Sequence, residues 1–445
     1  MNENIFPLCL RARWVFPIIG PPLRDAAVTI FQGRITAVGD PPRDLPIEDL
    51  GQAAILPGLV NAHTHLEFSH LAAPIGQQGM EFVAWLGSVI RQRTDAPVEG
   101  RSPVELGLRE SVAQGVTTIG EIAQPGRPID PYLASSCEGI VFAELIAPRI
   151  DRVATAMASA QRHLMEARRG TRLRVNAECL QACGMSGPLA DPQAGAPSSF
   201  YEGNDSFWQP GLSPHAPYTV HPELLARAVD FAVEHGLPLA MHLAESREEI
   251  DFLRDGRGPF RELLESRGGW DPAARPRGAR PLRELRTLAR APRALVVHGN
   301  YLDDEEIEFV GQQRQLAVVY CPRTHAWFGH ARYPLEKLLT AGAVVALGTD
   351  SRASSPDLSL LAEMRHVART FPTLSRATIL ELGTLGGARA LGLDAQIGTL
   401  APGKRANLAV VALPEADPPV PCELLLDGTG PVTATWVRGE QVDCR

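Results

Sequence analysis

Two histidines one residue apart offer the clearest chemistry in this sequence. Residues 58–61 form an apolar run that is typical of a buried strand, and His63 and His65 come just past its end. In an extended segment residues i and i+2 point the same way, so both imidazoles can converge on one point. Two neutral imidazole nitrogens suit zinc or a similar transition metal, whereas the plainer alternative is a pair of exposed loop histidines. The pair predicts part of a metal site.

Further apolar runs end in side chains of the same kind. They close at His215, at His242 with Glu245 three residues later, at His298 and at Asp350. Taken singly, His242 or His298 could be a hydrogen-bonded core histidine, and Asp350 could be a helix N-cap. Taken together, their common position at strand ends predicts one shared site.

The elements that must position these residues alternate along the middle of the chain. Eight candidate strands end near His65, Glu121, Ala147, His215, His242, His298, Pro322 and Asp350. Amphipathic helices are predicted between them, among them residues 222–235, 303–314 and 358–370. This rhythm is typical of parallel βαβ units. It favours an α/β fold with a closed (β/α)8 TIM barrel, in which functional residues sit at the carboxyl ends of the strands.

The two ends of the chain are instead rich in short β segments and turns. Because chain termini often lie close together, these ends are predicted to pair into a small β-sandwich domain. The predicted divisions are residues 1–56 and 394–445 for the sandwich, 57–393 for the barrel, and 171–210 for an insertion before the fourth barrel strand.

Composition excludes several classes of protein. The 445 residues are 44% hydrophobic and 21% charged, which is ordinary for a soluble enzyme with an ample core. The net charge of -8 gives no indication of a nucleic-acid or membrane partner. Neither a secretory signal nor a membrane span is predicted, and seven irregularly spaced cysteines argue against a disulfide framework. We therefore expect a reduced, cytoplasmic protein, whose oligomeric state is open and includes a homodimer.

The combined motifs resemble the amidohydrolase superfamily over nearly the whole chain. The resemblance rests on residues 57–67, the His-x-x-Glu at 242–245, His298, the Gly-Thr-Asp at 348–350 and the return segment at 397–408. That return segment carries Asn407 where the superfamily usually has Asp, a departure that lies outside the predicted site.

The resemblance implies a role for each polar strand end. One divalent metal ion, zinc or else iron, would be ligated by His63, His65, His242 and Asp350. The ion would bring the pKa of a water molecule toward 7 and supply hydroxide. Glu245 would shuttle protons, His298 would hydrogen-bond the water or the substrate, and Asp350 would accept a proton from the attacking water.

The lysine count bears on the number of metal ions. Two-metal members of the superfamily commonly bridge their ions with a carboxylated lysine at the end of the fourth strand. The only lysines here are Lys337 and Lys404, and neither is close to that position. One metal is therefore favoured, with a bridging Glu121 or Glu144 as the alternative.

The loops after the strands indicate the reaction. Residues 211–219 resemble the fourth-strand motif of deaminases that act on S-adenosylhomocysteine, methylthioadenosine and 6-aminodeoxyfutalosine. Residues 321–325 and 350–356 resemble the aminodeoxyfutalosine deaminases of menaquinone biosynthesis, which more often have Ser-Asn at 324–325. The resemblance implies a hydrolytic deaminase of an adenine-type nucleoside that releases ammonia, with 6-aminodeoxyfutalosine as the favoured substrate.

The same analogy yields candidate substrate contacts and leaves other functions open. The candidate contacts are His215, Arg323, His325, Glu67, Trp85 and Arg149. The alternatives are a guanine, 8-oxoguanine or pterin deaminase, or a triazine-type chlorohydrolase. A non-catalytic barrel scaffold is the hypothesis from another class. If the protein is an enzyme, its partner is a small heterocyclic substrate.

Overall fold

The computed structural model describes residues 7–93, 97–98, 100–167, 208–274 and 278–443. The N-terminal strands are β1 (Leu8–Val15), β2 (Leu23–Phe31), β3 (Arg34–Gly39), β4 (Ile47–Asp49) and β5 (Ala53–Pro57). The central strands are β6 (Leu59–Thr64), β7 (Val116–Ala123), β8 (Glu138–Leu145), β9 (Trp208–Pro214), β10 (Leu239–Leu243), β11 (Ala294–His298), β12 (Leu316–Tyr320) and β13 (Val344–Leu347). The C-terminal strands are β14 (Leu408–Ala412), β15 (Val432–Val437) and β16 (Glu440–Gln441).

Helices fill most of the connections between the central strands. They are α1 (Phe82–Gln92), α2 (Pro103–Ala113), α3 (Asp130–Ala134), α4 (153–167), α5 (Pro222–His235), α6 (Arg247–Asp255), α7 (Pro259–Ser266), α8 (Pro281–Leu288), α9 (Asp304–Gly311), α10 (Pro322–Phe328), α11 (Leu335–Thr340), α12 (Leu360–Thr370), α13 (Arg376–Glu381), α14 (Gly387–Leu391) and α15 (Cys422–Leu426). Among the described residues, no helix combines the length and the apolar character that crossing a membrane requires.

The central strands form one parallel sheet in sequence order from β6 to β13. A parallel bridge between Thr64 and Asp350 joins the end of the first strand to the residues that follow the last. The predicted (β/α)8 barrel is therefore confirmed. Each of the eight barrel strands ends within three residues of its predicted position, because each apolar run stops where the chain leaves the barrel wall.

The chain termini form a second, mixed sheet in the order β16-β15-β14-β5-β1-β2-β3, with β4 paired to β1. Its core is separate from the barrel interior and includes Leu10, Val28, Ile55, Leu408 and Trp436. The predicted β domain from both ends of the chain is thus present as one hydrogen-bonded sheet.

The exact domain divisions stay predictions. The first predicted division, between residues 56 and 57, falls one residue before the end of β5 at Pro57, and β6 begins at Leu59. Of the insertion predicted at residues 171–210, residues 171–207 lie outside the described part of the chain, and β9 begins at Trp208.

Helix α5 shows how local sequence sets the elements around the barrel. It spans the predicted residues 222–235, because His221 caps its first turn and Pro222 has a backbone angle suited to a first helical position. Gly236 ends it in the left-handed conformation, with φ of 67°. Its apolar positions recur every three or four residues, as Leu225 and Ala228 illustrate, and this face packs against the barrel.

Candidate active site

Three buried histidines meet at the carboxyl end of the barrel. His63 lies near the end of β6, His65 follows that strand directly, and His242 lies on β10. The Nε2 atoms of His65 and His242 are 3.2 Å apart. One ring nitrogen from each of the three histidines lies within 4.8 Å of the other two. The structure therefore brings together the three predicted imidazole ligands.

Asp350 adds a carboxylate to this cluster. Its Oδ1 atom lies 3.6 Å from Nε2 of His63 and 3.8 Å from Nε2 of His65. Its Oδ2 atom accepts a hydrogen bond of 2.7 Å from the Ser354 hydroxyl group. The Thr64 hydroxyl group holds the Asp350 carbonyl oxygen at 2.7 Å. One carboxylate oxygen is thus directed at the histidines, while the other is hydrogen-bonded to Ser354.

The donor set fits a divalent metal ion. Burial lowers the pKa of all three imidazoles, to about 4 for His242, so their nitrogens are neutral at pH 7. Within the described chain, neither ring nitrogen of the buried His63 has a hydrogen-bond partner. Ligands about 2.1 Å from a tetrahedral ion lie about 3.4 Å from one another, close to the separations found here. The main chain of His215 orients one ligand, because its carbonyl oxygen accepts the Nδ1–H of His242 at 3.1 Å and leaves Nε2 for the cluster.

The two glutamates considered as bridging ligands have other partners. Glu121 accepts hydrogen bonds from the Leu66 backbone at 3.0 Å and from the Tyr132 hydroxyl group at 3.3 Å. Glu144 contacts Gln124, and its Oε1 lies 3.7 Å from Nε2 of His215. Among the described residues, the only group of three or more potential ligands is the histidine cluster. The arrangement favours a single ion.

Glu245 and His298 form an acid–base pair beside the cluster. Glu245 Oε1 lies 3.2 Å from His298 Nε2, and both side chains are buried. Burial, reinforced by the charges of Asp350 and Glu249, raises the pKa of Glu245 well above its usual range. Burial lowers the pKa of His298 well below its usual range. A carboxyl group with a raised pKa beside a neutral imidazole is suited to proton transfer.

Three residues of the site have unusual backbone conformations. Ala244, His298 and Asp350 have φ angles of 54°, 70° and 55°. Residues with a Cβ atom rarely occupy this left-handed region, and such strain concentrates at functional sites. Each follows or ends a barrel strand, where a sharp change of chain direction turns a side chain toward the common centre.

His215 lies beside the histidine cluster, as predicted. Its ring centroid is 5.1 Å from that of His242. Its Nδ1 atom lies 2.6 Å from the Thr219 hydroxyl group, and burial lowers its pKa to about 3. His215 is therefore a neutral ring at the edge of the site, and its contact with substrate stays a prediction.

Glu67 and Trp85 are both buried. Glu67 is buried, with its two oxygens 3.0 Å from Arg93 and 2.8 Å from Arg127. Trp85 donates to the Ala353 carbonyl oxygen at 3.2 Å and packs within an aromatic cluster. Both side chains are held by protein partners, and their substrate roles stay predictions.

The remaining candidates divide between buried and exposed positions. Arg323 makes ion pairs of 2.5 Å with the buried Glu363 and 2.8 Å with Asp357. His325 is buried, and its Nε2 atom has no partner in the described chain. Arg149 is exposed and pairs with Asp151 at 3.0 Å. The structure does not bring Arg149 or the Arg323 guanidinium group into the histidine cluster, and all three substrate roles stay predictions.

Sequence reasoning gave no role to Ser354 or Thr64, which fix the Asp350 carboxylate and backbone. The one available signal was that Ser354 lies four residues after Asp350, within a run of short polar side chains. A serine-rich turn is common in proteins, so this signal alone does not identify a ligand-orienting residue.

Comparisons with known proteins agree with this geometry. The model of the amidohydrolase family matches residues 54–442. A 5-methylthioadenosine/S-adenosylhomocysteine deaminase from Syntrophobacter fumaroxidans is 31% identical over 425 residues, covering 86% of this chain and 79% of that protein. An aminodeoxyfutalosine deaminase from Deinococcus radiodurans is 27% identical over 380 residues, covering 82% of this chain and 81% of that protein.

A solved structure extends the likeness to three dimensions. An adenosine deaminase from Xanthomonas campestris with bound zinc has a TM-score of 0.72 and 25% identity, covering 98% of this chain and 92% of that one. The family match spans both the barrel and the C-terminal strands, and it includes every residue of the histidine cluster. The chain therefore belongs to the amidohydrolase family.

Proposed function

We propose that this protein is a metal-dependent deaminase that hydrolyses the exocyclic amino group of an adenine-type nucleoside. The observation that carries the proposal is the Glu245–His298 pair, 3.2 Å apart, beside a cluster of three neutral imidazoles and one carboxylate. Deamination of a ring requires one proton on a ring nitrogen and another on the departing amino group. The site offers titratable side chains for both transfers.

Each side chain has a distinct task in this proposal. His63, His65, His242 and Asp350 would hold the ion, which when bound lowers the pKa of a water molecule toward 7. Glu245 donates its proton to the ring nitrogen next to the reacting carbon. Water adds to that carbon as Asp350 accepts one of its protons. Asp350 then returns this proton to the amino group, the C–N bond breaks and ammonia leaves. The proton of the new hydroxyl group goes back to Glu245, which leaves a carbonyl group on the ring. His298 hydrogen-bonds the reacting groups and keeps Glu245 in place.

The named relatives support an adenine nucleoside as the substrate class. One is a 5-methylthioadenosine/S-adenosylhomocysteine deaminase and another an aminodeoxyfutalosine deaminase, and both align over more than four fifths of this chain. We propose 6-aminodeoxyfutalosine as the first substrate, followed by S-adenosylhomocysteine and methylthioadenosine. Zinc is the proposed ion, since three imidazoles and a carboxylate suit it. A cytoplasmic location and a homodimer stay predictions.

A substrate panel tests the proposal. Zinc-loaded protein would be incubated with 6-aminodeoxyfutalosine, methylthioadenosine, S-adenosylhomocysteine, adenosine, guanine and 8-oxoguanine, and ammonia release measured. We expect activity on an adenine nucleoside, with Glu245→Gln lowering kcat by about 10³-fold because the proton donor is lost. Glu306→Gln, which changes a buried glutamate outside the site, serves as the control and should keep activity within about twofold.

Other outcomes would replace the proposal. Activity on free bases alone would indicate a guanine-type deaminase. Zinc binding without ammonia release from any compound would contradict a deaminase and direct the search to chlorinated triazines. Purification without stoichiometric metal, together with no metal uptake, would indicate a non-catalytic scaffold.

A further inference from the structure

The short segment that carries Glu245 has an enforced backbone conformation. Ala244, the residue before Glu245, has φ of 54° although it carries a Cβ atom. This conformation is unfavourable for alanine and persists only where the surroundings impose it. The direction of the Glu245 side chain depends on this turn, because the turn sets the orientation of the next peptide unit.

A buried carboxylate holds the amide side of this turn. Glu249 accepts the Ala244 N–H on Oε1 and the Glu245 N–H on Oε2, each at 2.9 Å. Glu249 is fully buried at the third position of α6, and Ser246 caps that helix. In an ordinary capping box, a glutamate at this position bonds the N–H of the capping residue itself. Here it reaches past Ser246 to the two residues before it.

The carbonyl side of the turn is held from the neighbouring strand. The Asn300 side chain donates to the Glu245 carbonyl oxygen at 2.8 Å. The Tyr301 backbone N–H donates to the Ala244 carbonyl oxygen at 3.0 Å. Asn300 lies two residues after His298, at the end of β11. The loop that holds Glu245 is therefore attached directly to the loop that holds its partner His298.

We propose that Glu249 and Asn300 are positioning residues that set the Glu245 carboxyl group against His298. All four polar groups of the Ala244 and Glu245 backbone are bonded: two to the Glu249 carboxylate, one to the Asn300 amide and one to the Tyr301 N–H. Neither side chain belongs to the proposed ligand set of the ion. The effect of these residues on catalysis rests on the proposed deaminase function. Their effect on the backbone conformation of the Glu245 segment does not.

Glu306 offers a matched control elsewhere in the chain. It occupies the same third position in α9 and is also buried. It likewise accepts two backbone N–H groups, from Asp303 at 3.0 Å and from Leu282 at 3.1 Å. A change of Glu306 to Gln therefore removes the same kind of interaction without touching the segment of Glu245.

The kinetic test compares Glu249→Gln, Asn300→Ala and Glu306→Gln as zinc-loaded proteins. Gln presents one oxygen and one NH2 group, so one of the two N–H groups loses its acceptor. We expect Glu249→Gln and Asn300→Ala each to lower kcat about 10-fold or more, with KM and zinc content within about threefold of wild type. Glu306→Gln should lower the melting temperature to a similar extent as Glu249→Gln and leave kcat within about twofold.

A double variant separates positioning from general structural damage. If Glu249 acts through Glu245, then Glu245→Gln combined with Glu249→Gln should have a kcat close to that of Glu245→Gln alone. Losses that multiply in the double variant would overturn the inference. So would a Glu249→Gln protein with wild-type kcat.

Hydrogen exchange supplies a measurement that does not depend on activity. At least one of the Ala244 and Glu245 amides should exchange about 10-fold faster in Glu249→Gln than in Glu306→Gln. Equal exchange rates in the two variants would overturn the inference that Glu249 holds the backbone of this segment. If wild-type protein were inactive on the whole panel, the deaminase proposal would fail, and exchange would still decide whether Glu249 holds this segment.

Discussion

At the scale of single residues, Asp350 divides its two carboxylate oxygens between two tasks. Oδ1 faces His63 and His65, whereas Oδ2 accepts the Ser354 hydroxyl group at 2.7 Å. Thr324 lies 2.9 Å from the same hydroxyl oxygen and extends the chain of hydrogen bonds away from the site. Ser354 therefore restricts rotation of the carboxylate and keeps its other oxygen directed at the histidines.

Replacing Ser354 by alanine should therefore weaken metal binding. Loss of a hydrogen-bond partner behind a ligand typically costs about 10-fold in metal affinity or more. Competition with a chelator would measure the affinity of Ser354→Ala for zinc. Ser355→Ala is the control, since Ser355 is also buried but contacts Glu363. Equal zinc affinity in the two variants would contradict the role of Ser354.

At the scale of elements, one ion-pair cluster joins the two helices that follow the last two barrel strands. Arg323 on α10 pairs with Glu363 on α12, which is fully buried, and with Asp357 in the preceding loop. A buried charge is stable only while its partner is present. The cluster thus fixes α10, whose other residues include His325 and Phe328, relative to α12.

Replacing Arg323 by glutamine should destabilise the protein by about 3–5 kcal/mol, because the Glu363 carboxylate would be left buried and unpaired. Urea unfolding of Arg323→Gln would measure the change. Arg227→Gln, which breaks an exposed pair with Glu223 on α5, should cost about 0–1 kcal/mol. A raised KM without loss of stability would instead favour the substrate contact predicted from the sequence.

At the scale of the whole molecule, Asn407 joins the terminal sheet to the barrel. Its Nδ2 donates to Oε1 of the buried Glu138 at 2.7 Å, and Arg405 pairs with Oε2 of Glu138 at 2.5 Å. The Asn407 Oδ1 atom accepts the Arg438 backbone N–H at 2.9 Å. An amide supplies the donor and the acceptor that these two contacts need. Asn407 therefore fits this position, whereas an Asp side chain would lack the donor for Glu138.

The change Asn407→Asp should lower the free energy of unfolding by about 3 kcal/mol at pH 7. It would remove the donor and place a second carboxylate against Glu138. Thermal and urea unfolding would measure the loss. Adding Glu138→Gln to the same chain should recover part of the stability, because the glutamine amide can donate to the introduced carboxylate. A double variant no more stable than the single one would contradict this account.

Acid should destabilise the metal-free protein through its buried histidines. Burial lowers the pKa of His325 and of His330 to about 4, below the value of 6.5 of an unfolded chain. Between pH 6.5 and pH 4 the unfolded chain binds protons that the folded chain does not, so stability falls as the pH falls. Calorimetry from about pH 7.5 to about pH 4.5 should show a declining melting temperature. The decline should be shallower in His330→Phe, and an equal slope would contradict this origin.

The barrel and the polar residues at its strand ends were predictable because both depend on short segments. An apolar run that ends in His or Asp indicates its own strand and the polar residue at the strand's end, whatever the rest of the chain does. Parallel packing then places all the ends at one edge. For this reason a shared site could be predicted without knowledge of any contact for His63, His65, His242, Glu245, His298 and Asp350. Their individual roles come from the family resemblance and stay predictions.

The sequence by itself thus determined the architecture, the family resemblance and which side chains surround the site. Only the tertiary structure decided how they are held. Three examples are Glu249, Ser354 and the Asn407–Glu138 contact. Each depends on a partner from another element or on an unusual turn, and the local periodicity of the sequence does not encode such partners or turns. Arg323 illustrates the reason: its charge is visible in the sequence, but its partner Glu363 lies 40 residues away and meets it only when α10 packs against α12.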